Sequence, residues 1–253
     1  MIFDKRGFIF CILFLSFAFI YVNAGDLDYK KVHYIQSTPP LANGNVNYIF
    51  RGNEPRENVN GTTIFAYDDL VSFIKQNGQE NNITIPDQFY LIDIKLITGP
   101  LPSELPDIEL EQNFFAQNSN LGEFHTNNTF GDLLDPQWFD EEEQISMAKT
   151  LPNWQKDDLQ YRMDLYHNIL FTERDLPVVL YIHCECGCDR TGEIMASWVM
   201  RFQGWNFAQA MEWDYSIAGR KINFANQWAT QWYCLYLQYA ENRSIDCTPP
   251  ANW

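Results

Sequence analysis

The chain has 253 residues and a formal net charge of −16, because 33 Asp and Glu residues outnumber 17 Lys and Arg residues. Nucleic-acid binding needs a basic surface that neutralises phosphates, so nucleic acid is not expected as a partner. The length suits one well-buried domain, and no linker or internal repeat divides the sequence.

Residues 1–24 have the pattern of a cleaved signal peptide. Lys5 and Arg6 precede a long apolar core, and small residues flank Asn23 at the positions that a signal peptidase inspects. An uncleaved membrane anchor is the alternative, but the polar sequence that follows favours cleavage. We therefore expect residues 25–253 to be secreted or to reside in the secretory-pathway or lysosomal lumen, with no membrane span after cleavage. Four N-x-S/T triplets fit this location as glycosylation acceptors: Asn60, Asn82, Asn127 and Asn242.

Apolar residues follow strand and helix spacing in turn along the first part of the domain. "VNYIFRG" alternates like a strand, "AYDDLVSFIKQNG" has helical spacing and ends at Gly78, and "QFYLIDIKL" is again typical of a strand. Residues 98–150 are rich in Pro, Asn, Asp and Glu, which predicts a long region of surface loops.

The rest of the chain is predicted to contain a helix, a buried strand and three further helices. The helix "DDLQYRMDLYHNILFTERD" offers Asp157 or Asp158 as its N-cap and has four apolar side chains on one face: Leu159, Met163, Tyr166 and Leu170. The run "LPVVLYIHC" suits a central strand covered on both faces. Of the three later helices, the first begins at Arg190, and the last has an apolar stripe expected in the core: Trp228, Trp232, Leu235 and Tyr239. The fold class is therefore α/β, with a central, mostly parallel sheet flanked by helices.

Residues 183–193, "HCECGCDRTGE", leave the buried strand and enter the next helix. Backbone N–H groups in such a turn, together with those at the helix start, form a cradle for an anion. The same dipoles and Arg190 favour a thiolate at Cys184. Arg190 has a planar fork that can hold two phosphate oxygens, and Gly187 and Gly192 allow close approach of the backbone. The segment therefore predicts a phosphate-binding loop with a nucleophilic cysteine.

The loop resembles the H-C-x5-R-S/T-G signature of the cysteine-dependent protein tyrosine phosphatase superfamily, and six residues carry the match: His183, Cys184, Gly187, Arg190, Thr191 and Gly192. "FRGNEP", "LIDIK" and "LPVVLYIHC" are similar to strands of its atypical dual-specificity and bacterial-type members. Residues 98–150 have no counterpart. The resemblance implies a protein tyrosine phosphatase-like fold in a single phosphatase domain, without a metal or organic cofactor.

The resemblance also implies a role for each matched residue. Cys184 would attack phosphorus and form a cysteinyl-phosphate, while Arg190 would hold the phosphoryl oxygens. Thr191 would donate a hydrogen bond to the departing thiolate. His183 would orient the loop rather than act as a base. The other members of the phosphate-binding loop are Glu185, Cys186, Gly187, Cys188 and Gly192.

The proton donor for the leaving group is open, because the chain lacks the Trp-Pro-Asp segment that carries it in tyrosine phosphatases. Asp189 is favoured, since some phosphatases with a similar loop carry the same Asp-Arg pair, and its alternative role is to pair with nearby cations. Asp157 and Asp158 lie roughly where the missing segment would be, with helix capping as their alternative. Gln227 and Gln231 fall where related enzymes place a water-orienting glutamine.

The loop cysteines also allow a metal site. Cys184, Cys186 and Cys188 are spaced C-x-C-x-C, whereas zinc sites usually show C-x2-C pairs, and zinc would not need the arginine and glycines of the loop. No metal is therefore expected. Cys186 and Cys188 are then reduced, paired with each other, or able to capture Cys184 reversibly.

The cysteine count predicts a free thiol. Of six cysteines, Cys11 leaves with the signal peptide, and the odd remainder in an oxidising compartment leaves at least one unpaired. Cys184 is the natural candidate. We expect a disulfide between Cys234 and Cys247, which would tie the last helix to the C-terminal tail.

These patterns predict a phosphomonoester hydrolase, similar to tyrosine and dual-specificity phosphatases, that acts on a phosphorylated protein or a small phosphomonoester. Members of the superfamily that hydrolyse inositides tend to have lysines in the loop, whereas this loop has Glu185 and Asp189, so one phosphoryl group fits better than a polyanion. The alternatives are an inositol phosphate or phosphoinositide phosphatase of the same superfamily and a secreted non-catalytic module that binds a phosphorylated ligand.

Overall fold

A computed structural model describes residues 26–99, 101–251 and 253. The predicted signal peptide, residues 1–24, lies outside this range. Among the residues described, no helix is long and apolar enough to cross a membrane.

Seven strands are described, and five of them form the central sheet. The strands are β1 His33–Ser37, β2 Tyr48–Asn53, β3 Arg56–Val59, β4 Thr62–Phe65, β5 Tyr90–Ile97, β6 Gly122–Asn128 and β7 Val178–Cys184. The central sheet has the order β1-β2-β7-β5-β6, while β3 and β4 form a separate hairpin. Only the pairing of β1 with β2 is antiparallel in the central sheet. The predicted mixed, mostly parallel sheet is therefore present.

Helices cover both faces of this sheet, which gives the predicted α/β class. They are α1 Tyr67–Glu80, α2 Leu105–Gln117, α3 Glu141–Lys149, α4 Leu159–Phe171, α5 Asp189–Gln203, α6 Phe207–Ala218 and α7 Phe224–Tyr239. Strand β7 is buried along its whole length, as its apolar sequence predicts. Its Leu180 and Ile182 side chains join the core formed with α4 to α7, whereas Val179 and Tyr181 join the core formed with α1 and α2.

The two predicted helical stripes have different outcomes. All four stripe residues of α4 are fully buried, as expected: Leu159, Met163, Tyr166 and Leu170. In α7, Trp232 and Leu235 are buried, but Trp228 and Tyr239 are only half-buried. Trp228 lies near the start of α7 and Tyr239 is its last residue, so only the middle of the predicted stripe belongs to the core.

The prediction of long surface loops over residues 98–150 is wrong, because α2, β6 and α3 occupy most of this range. Its Pro and acidic residues mark helix starts instead. Pro106 lies in the first turn of α2, where the missing N–H costs nothing. Asp140 and Glu143 form a capping box at the start of α3.

The predicted capping of α4 by Asp157 or Asp158 is also wrong. Asp158 occupies the N-cap position with φ of 46°, and its side chain caps no N–H group in the described chain. Asp157 is buried, and its carboxylate accepts hydrogen bonds of 2.6–3.0 Å from the backbone N–H groups of Phe130 and Gly131. Gln155 Oε1 accepts the first N–H of α4 instead, at 3.3 Å.

The four predicted glycosylation acceptors differ in accessibility. Asn60, Asn82 and Asn242 are exposed, each at a turn with positive φ. Asn127 is half-buried in β6, and its Oδ1 accepts a 2.6 Å hydrogen bond from the Tyr166 hydroxyl. A glycan at Asn127 would have to break that bond, so the other three positions are better suited to modification.

Candidate active site

The loop from Cys184 to Asp189 joins the carboxyl end of β7 to the start of α5. Gly187 has φ of 66°, and a Cβ there would collide with the backbone of Gly52 in the neighbouring strand β2. A side chain at Gly192 would collide with the carboxylate of Asp214. Both glycines are therefore required by close packing around the loop.

Cys184 is buried and is the free cysteine of the described chain. Burial would raise the pKa of its thiol. The guanidinium of Arg190, the hydroxyl of Thr191 and the backbone N–H groups of Thr191 and Cys188 outweigh burial and lower this pKa below its ordinary value. The loop therefore stabilises a thiolate, which is the nucleophilic form of cysteine.

Arg190 is held at the edge of the loop by two acceptors. Its Nη1 donates to the carbonyl oxygen of Leu96 at 2.8 Å and to the carboxylate of Glu104. Both partners belong to the end of β5 and the segment before α2. Sequence reasoning missed Glu104, because it lies in the region assigned to loops and no local motif marks it.

A second arginine, from strand β2, supports the loop. Arg51 of β2 is fully buried, and its Nη2 donates to the carbonyl oxygen of Gly187 at 2.9 Å. Its Nη1 pairs with Asp214 of α6, whose side chain is also buried. A charged residue within the apolar strand "NYIFRG" is the sequence signal that could have identified Arg51, since charged side chains are rarely buried without a partner.

His183 lies in a buried cluster of charged side chains. Its Nε2 is 3.0 Å from Asp93 and 3.1 Å from Glu111, while Lys95 Nζ contacts Glu111 at 2.7 Å and also contacts Glu54. Burial would lower the pKa of His183, but the carboxylates of Glu111 and Asp93 outweigh it and raise the pKa to about 9. The imidazole is therefore protonated near neutral pH, in a position that fits support of the loop.

The same cluster contains three metal-ligand side chains, because the ligand atoms of Asp93, Glu111 and His183 lie within 4.8 Å of one another. Lys95 Nζ lies 2.7 Å from Glu111 and already supplies a positive charge to its carboxylate. These contacts fit a network of ion pairs better than a metal centre.

Asp189 binds two groups through its carboxylate. It accepts two hydrogen bonds of 2.8 Å from Arg220 and one of 2.7 Å from the backbone N–H of Asn223. Burial would raise the pKa of Asp189, but the bonds from Arg220 and Asn223 outweigh it and lower the pKa. A carboxylate that stays ionised is suited to positioning α7 against the loop. Its role as a proton donor stays a prediction.

Asp132 is a candidate proton donor that the sequence interpretation did not include. It is half-buried, and burial raises the pKa of its carboxyl group. The backbone N–H of Asp132 donates to the carbonyl oxygen of Ala225 in the first turn of α7. The two preceding residues, Phe130 and Gly131, are held by the carboxylate of Asp157. The sequence carried no usable signal for Asp132, because β6, which is parallel to β5 and β7 and ends at the same edge of the sheet, was not predicted.

The two predicted glutamines make contacts within the fold. Gln227 Nε2 donates to the carbonyl oxygen of Ile222, and Gln231 Nε2 donates to that of Cys247 at 3.4 Å. Both side chains are buried. A water-orienting role for either glutamine stays a prediction.

Two disulfides are present in the described chain. Cys234 and Cys247 are bonded, which confirms the predicted link between α7 and the C-terminal tail. Cys186 and Cys188 are bonded to each other inside the loop, which selects one of the three states that the sequence left open. Cys184 thus lies beside a disulfide while its own thiol remains free.

No protein-family model matches the chain, and no match was found among curated proteins. Function must therefore be inferred from the site itself, in which a thiolate-stabilising loop, an arginine and a carboxyl group with raised pKa are available for chemistry.

Proposed function

We propose that the protein is a phosphomonoester hydrolase of the protein tyrosine phosphatase type, with the corresponding fold. One observation carries the proposal. Cys184 is a free thiol at the end of the central strand, and Arg190 with the loop N–H groups lowers its pKa despite burial. A buried thiolate facing an arginine and the start of a helix is suited to attack on a bound phosphoryl group.

The first chemical step forms a cysteinyl-phosphate. The N–H groups of the loop and the nitrogens of Arg190 other than Nη1 hold the phosphoryl oxygens, since Nη1 is engaged by Leu96 and Glu104. The sulfur of Cys184 bonds to phosphorus while the bond from phosphorus to the leaving oxygen breaks. That oxygen departs with a proton from a general acid.

The second step returns the enzyme to its starting state. The general acid, now a carboxylate, takes a proton from water as the water oxygen bonds to phosphorus. The sulfur–phosphorus bond breaks, inorganic phosphate is released, and Cys184 leaves as a thiolate. The hydroxyl of Thr191 would donate a hydrogen bond to this thiolate, a role supported by its lowering effect on the pKa of Cys184.

We assign the role of general acid to Asp132. Its pKa is raised, so a larger fraction of its carboxyl group holds a proton near neutral pH, whereas the pKa of Asp189 is lowered and its oxygens are occupied by Arg220 and Asn223. Asp157 is buried beneath the backbone of Phe130 and is suited to fix the turn that carries Asp132.

The substrate class that fits best carries a single phosphoryl group, on a tyrosine of a secretory or extracellular protein or on a small molecule. Glu185 is exposed in the loop, and Asp189 neutralises Arg220. Lys31 is a cation beside the loop, with Nζ 3.8 Å from Cys188 Sγ, but the loop itself carries carboxylates in place of lysines, which disfavours inositol polyphosphates and phosphoinositides as substrates.

Phosphate release tests the proposal. Wild-type protein and the variants Cys184→Ser and Arg190→Met are assayed on a phosphotyrosine peptide, a phosphoserine peptide, inositol phosphates and phosphoinositides. We expect release from the phosphotyrosine peptide, its loss in Cys184→Ser, and capture of phosphorylated Cys184 by rapid quenching. Full activity of Cys184→Ser would exclude the cysteine mechanism and assign hydrolysis to another site. Tight substrate binding without turnover by the wild type would exclude hydrolysis and favour a binding module.

A further inference from the structure

Exposed apolar side chains are concentrated on one surface of the molecule. Of the ten large apolar side chains exposed in the described chain, five belong to this surface: Phe130 at 47%, Leu133 at 72%, Leu134 at 37%, Trp138 at 65% and Phe224 at 55% exposure. We call these five residues, with the half-buried Trp228, the aromatic patch. Such concentration of exposed apolar area is typical of a binding surface.

The patch is continuous and firmly supported. The ring of Trp228 lies 5.5 Å from that of Trp138 and 4.7 Å from that of Phe224. The indole N–H of Trp232 donates to the carbonyl oxygen of Leu134 at 2.7 Å, which fixes the segment against α7. The patch is therefore preformed and needs little rearrangement to bind a partner.

The patch adjoins the candidate active site. Asn223 donates its backbone N–H to Asp189 of the phosphate-binding loop, and Phe224 follows it as the first residue of α7. At the other end, Asp132 lies between Phe130 and Leu133. A molecule whose phosphate enters the loop would therefore extend over the patch.

Negative charge beside the patch favours a partner that carries positive charge. Glu141 and Glu142 are exposed at the start of α3, just after Trp138, while Asp140 and Glu143 are engaged in the capping box. These carboxylates, and the net charge of −16, repel an anionic bilayer and attract Lys and Arg side chains.

We propose that the aromatic patch docks the polypeptide around the phosphorylated residue of a protein substrate. The preferred segment has a large apolar side chain near the phosphorylated residue and Lys or Arg beyond it. This inference rests on the proposed function and narrows its substrate class to phosphoproteins, because a polypeptide can contact the patch with the residues that flank its phosphorylated residue.

The test compares substrates that differ only in what flanks the phosphate. Values of kcat/KM are measured for an aryl phosphate and for phosphotyrosine peptides flanked by Trp and Lys, by Ala, or by Asp. The variants are Trp138→Ala with Phe224→Ala, and Glu141→Gln with Glu142→Gln. Ile64→Ala is the matched control, since it removes an exposed apolar side chain from the β3–β4 hairpin.

We expect the wild type to prefer the peptide flanked by Trp and Lys. The aromatic variant should lose roughly tenfold or more in kcat/KM on that peptide, as loss of a contact hot spot does, with unchanged activity on the aryl phosphate. The glutamine variant should lose the preference for Lys. Ile64→Ala should match the wild type on every substrate.

Three outcomes would overturn the inference. Equal turnover of all peptides, or equal losses on peptide and aryl phosphate, would exclude docking at the patch. The patch would be assigned to a lipid surface if the wild type sediments with phosphatidylcholine vesicles, Trp138→Ala does not, and neither protein prefers any peptide. Absence of aryl phosphate hydrolysis would instead exclude the proposed function. Docking is then tested separately by fluorescence anisotropy, in which Cys184→Ser should bind the peptide flanked by Trp and Lys more tightly than the other peptides.

Discussion

The carboxylate of Glu111 lies 3.1 Å from Nε2 of His183, although the two residues are separated by 72 positions in the sequence. Glu111 comes from α2 and His183 from β7, next to Cys184, so the contact joins a surface helix to the base of the loop between β7 and α5. Lys95 and Asp93 of β5 complete the buried group. Because every member is buried, the charges depend on one another and not on solvent.

Stability should fall as the pH rises from 7 to 9, because His183 loses its proton in that range. Burial lowers the pKa of His183, but the carboxylates of Glu111 and Asp93 outweigh burial and raise this pKa to about 9. A histidine in the unfolded chain has a pKa of about 6.5. The stabilisation is therefore complete below pH 6.5 and is lost as the pH approaches 9. Urea unfolding should show a decrease of roughly 2 kcal/mol across this window.

The measurement uses Cys184→Ser, because the lowered pKa of the thiol would change stability in the opposite direction in the same range. Glu111→Gln in this background should cost roughly 3 kcal/mol at pH 7, since it leaves buried charges short of a partner. It should also flatten the pH dependence. An unchanged pH dependence in Glu111→Gln would show that His183 is not its source.

The position of the loop between a buried strand and a helix was predictable from sequence, but the residues that support the loop were not. Cys184 and Arg190 lie in one short motif between a buried strand and a helix, so local patterns were sufficient. Arg51 of β2, and Glu104 and Glu111 at the start of α2 and within it, reach Gly187, Arg190 and His183, and only the topology of the sheet brings them together.

The error over residues 98–150 has a similar origin. Composition predicted loops there, yet Pro and acidic residues are also the ones that begin helices. Strand β6 carries charged and polar side chains because it lies at the edge of the sheet. The half-buried position of Asp132 after that strand could therefore not be inferred before β6 itself was known.

Cys184 should react with iodoacetamide as a thiol whose pKa lies below the free value of about 8.5. The rate of alkylation, followed by mass spectrometry across pH 5 to 10, gives that pKa. Arg190→Met should raise this pKa, because it removes the nearby positive charge that lowers it. Arg174→Met is the matched control, since Arg174 pairs with the distant Glu123 and should leave the pKa unchanged. An identical pKa in the Arg190 variant would exclude this source of thiolate stabilisation.

The Cys186–Cys188 disulfide should determine which oxidation product Cys184 forms. With both neighbours bonded to each other, a sulfenic acid at Cys184 meets no thiol nearby and should proceed to sulfinic acid in peroxide. Reduction of the loop disulfide before peroxide treatment should instead give a reversible bond between Cys184 and one neighbour. Peptide mapping distinguishes the two products.

The control for this redox experiment is the double variant Cys186→Ser with Cys188→Ser, which should form sulfinic acid at Cys184 with or without prior reduction. A disulfide at Cys184 in the untreated wild type, without prior reduction, would contradict the expectation. It would show that the loop disulfide itself exchanges with Cys184.

The last prediction separates Asp132 from Asp189 as the general acid. Asp132→Asn should lower turnover of phosphotyrosine by roughly 10²–10³-fold and that of an activated aryl phosphate much less, because only the poorer leaving group needs the proton. The raised pKa of Asp132 sets the loss of activity at higher pH, so this limb of the profile should flatten in Asp132→Asn. Asp189→Asn should instead weaken its bonds to Arg220 and Asn223 and lower both activities by a similar factor. Asp158→Asn, a change at an exposed position with positive φ that suits Asn, should be silent. If Asp189→Asn instead lowers turnover of phosphotyrosine more than that of the activated aryl phosphate, and Asp132→Asn changes neither, Asp189 of the loop would be the general acid.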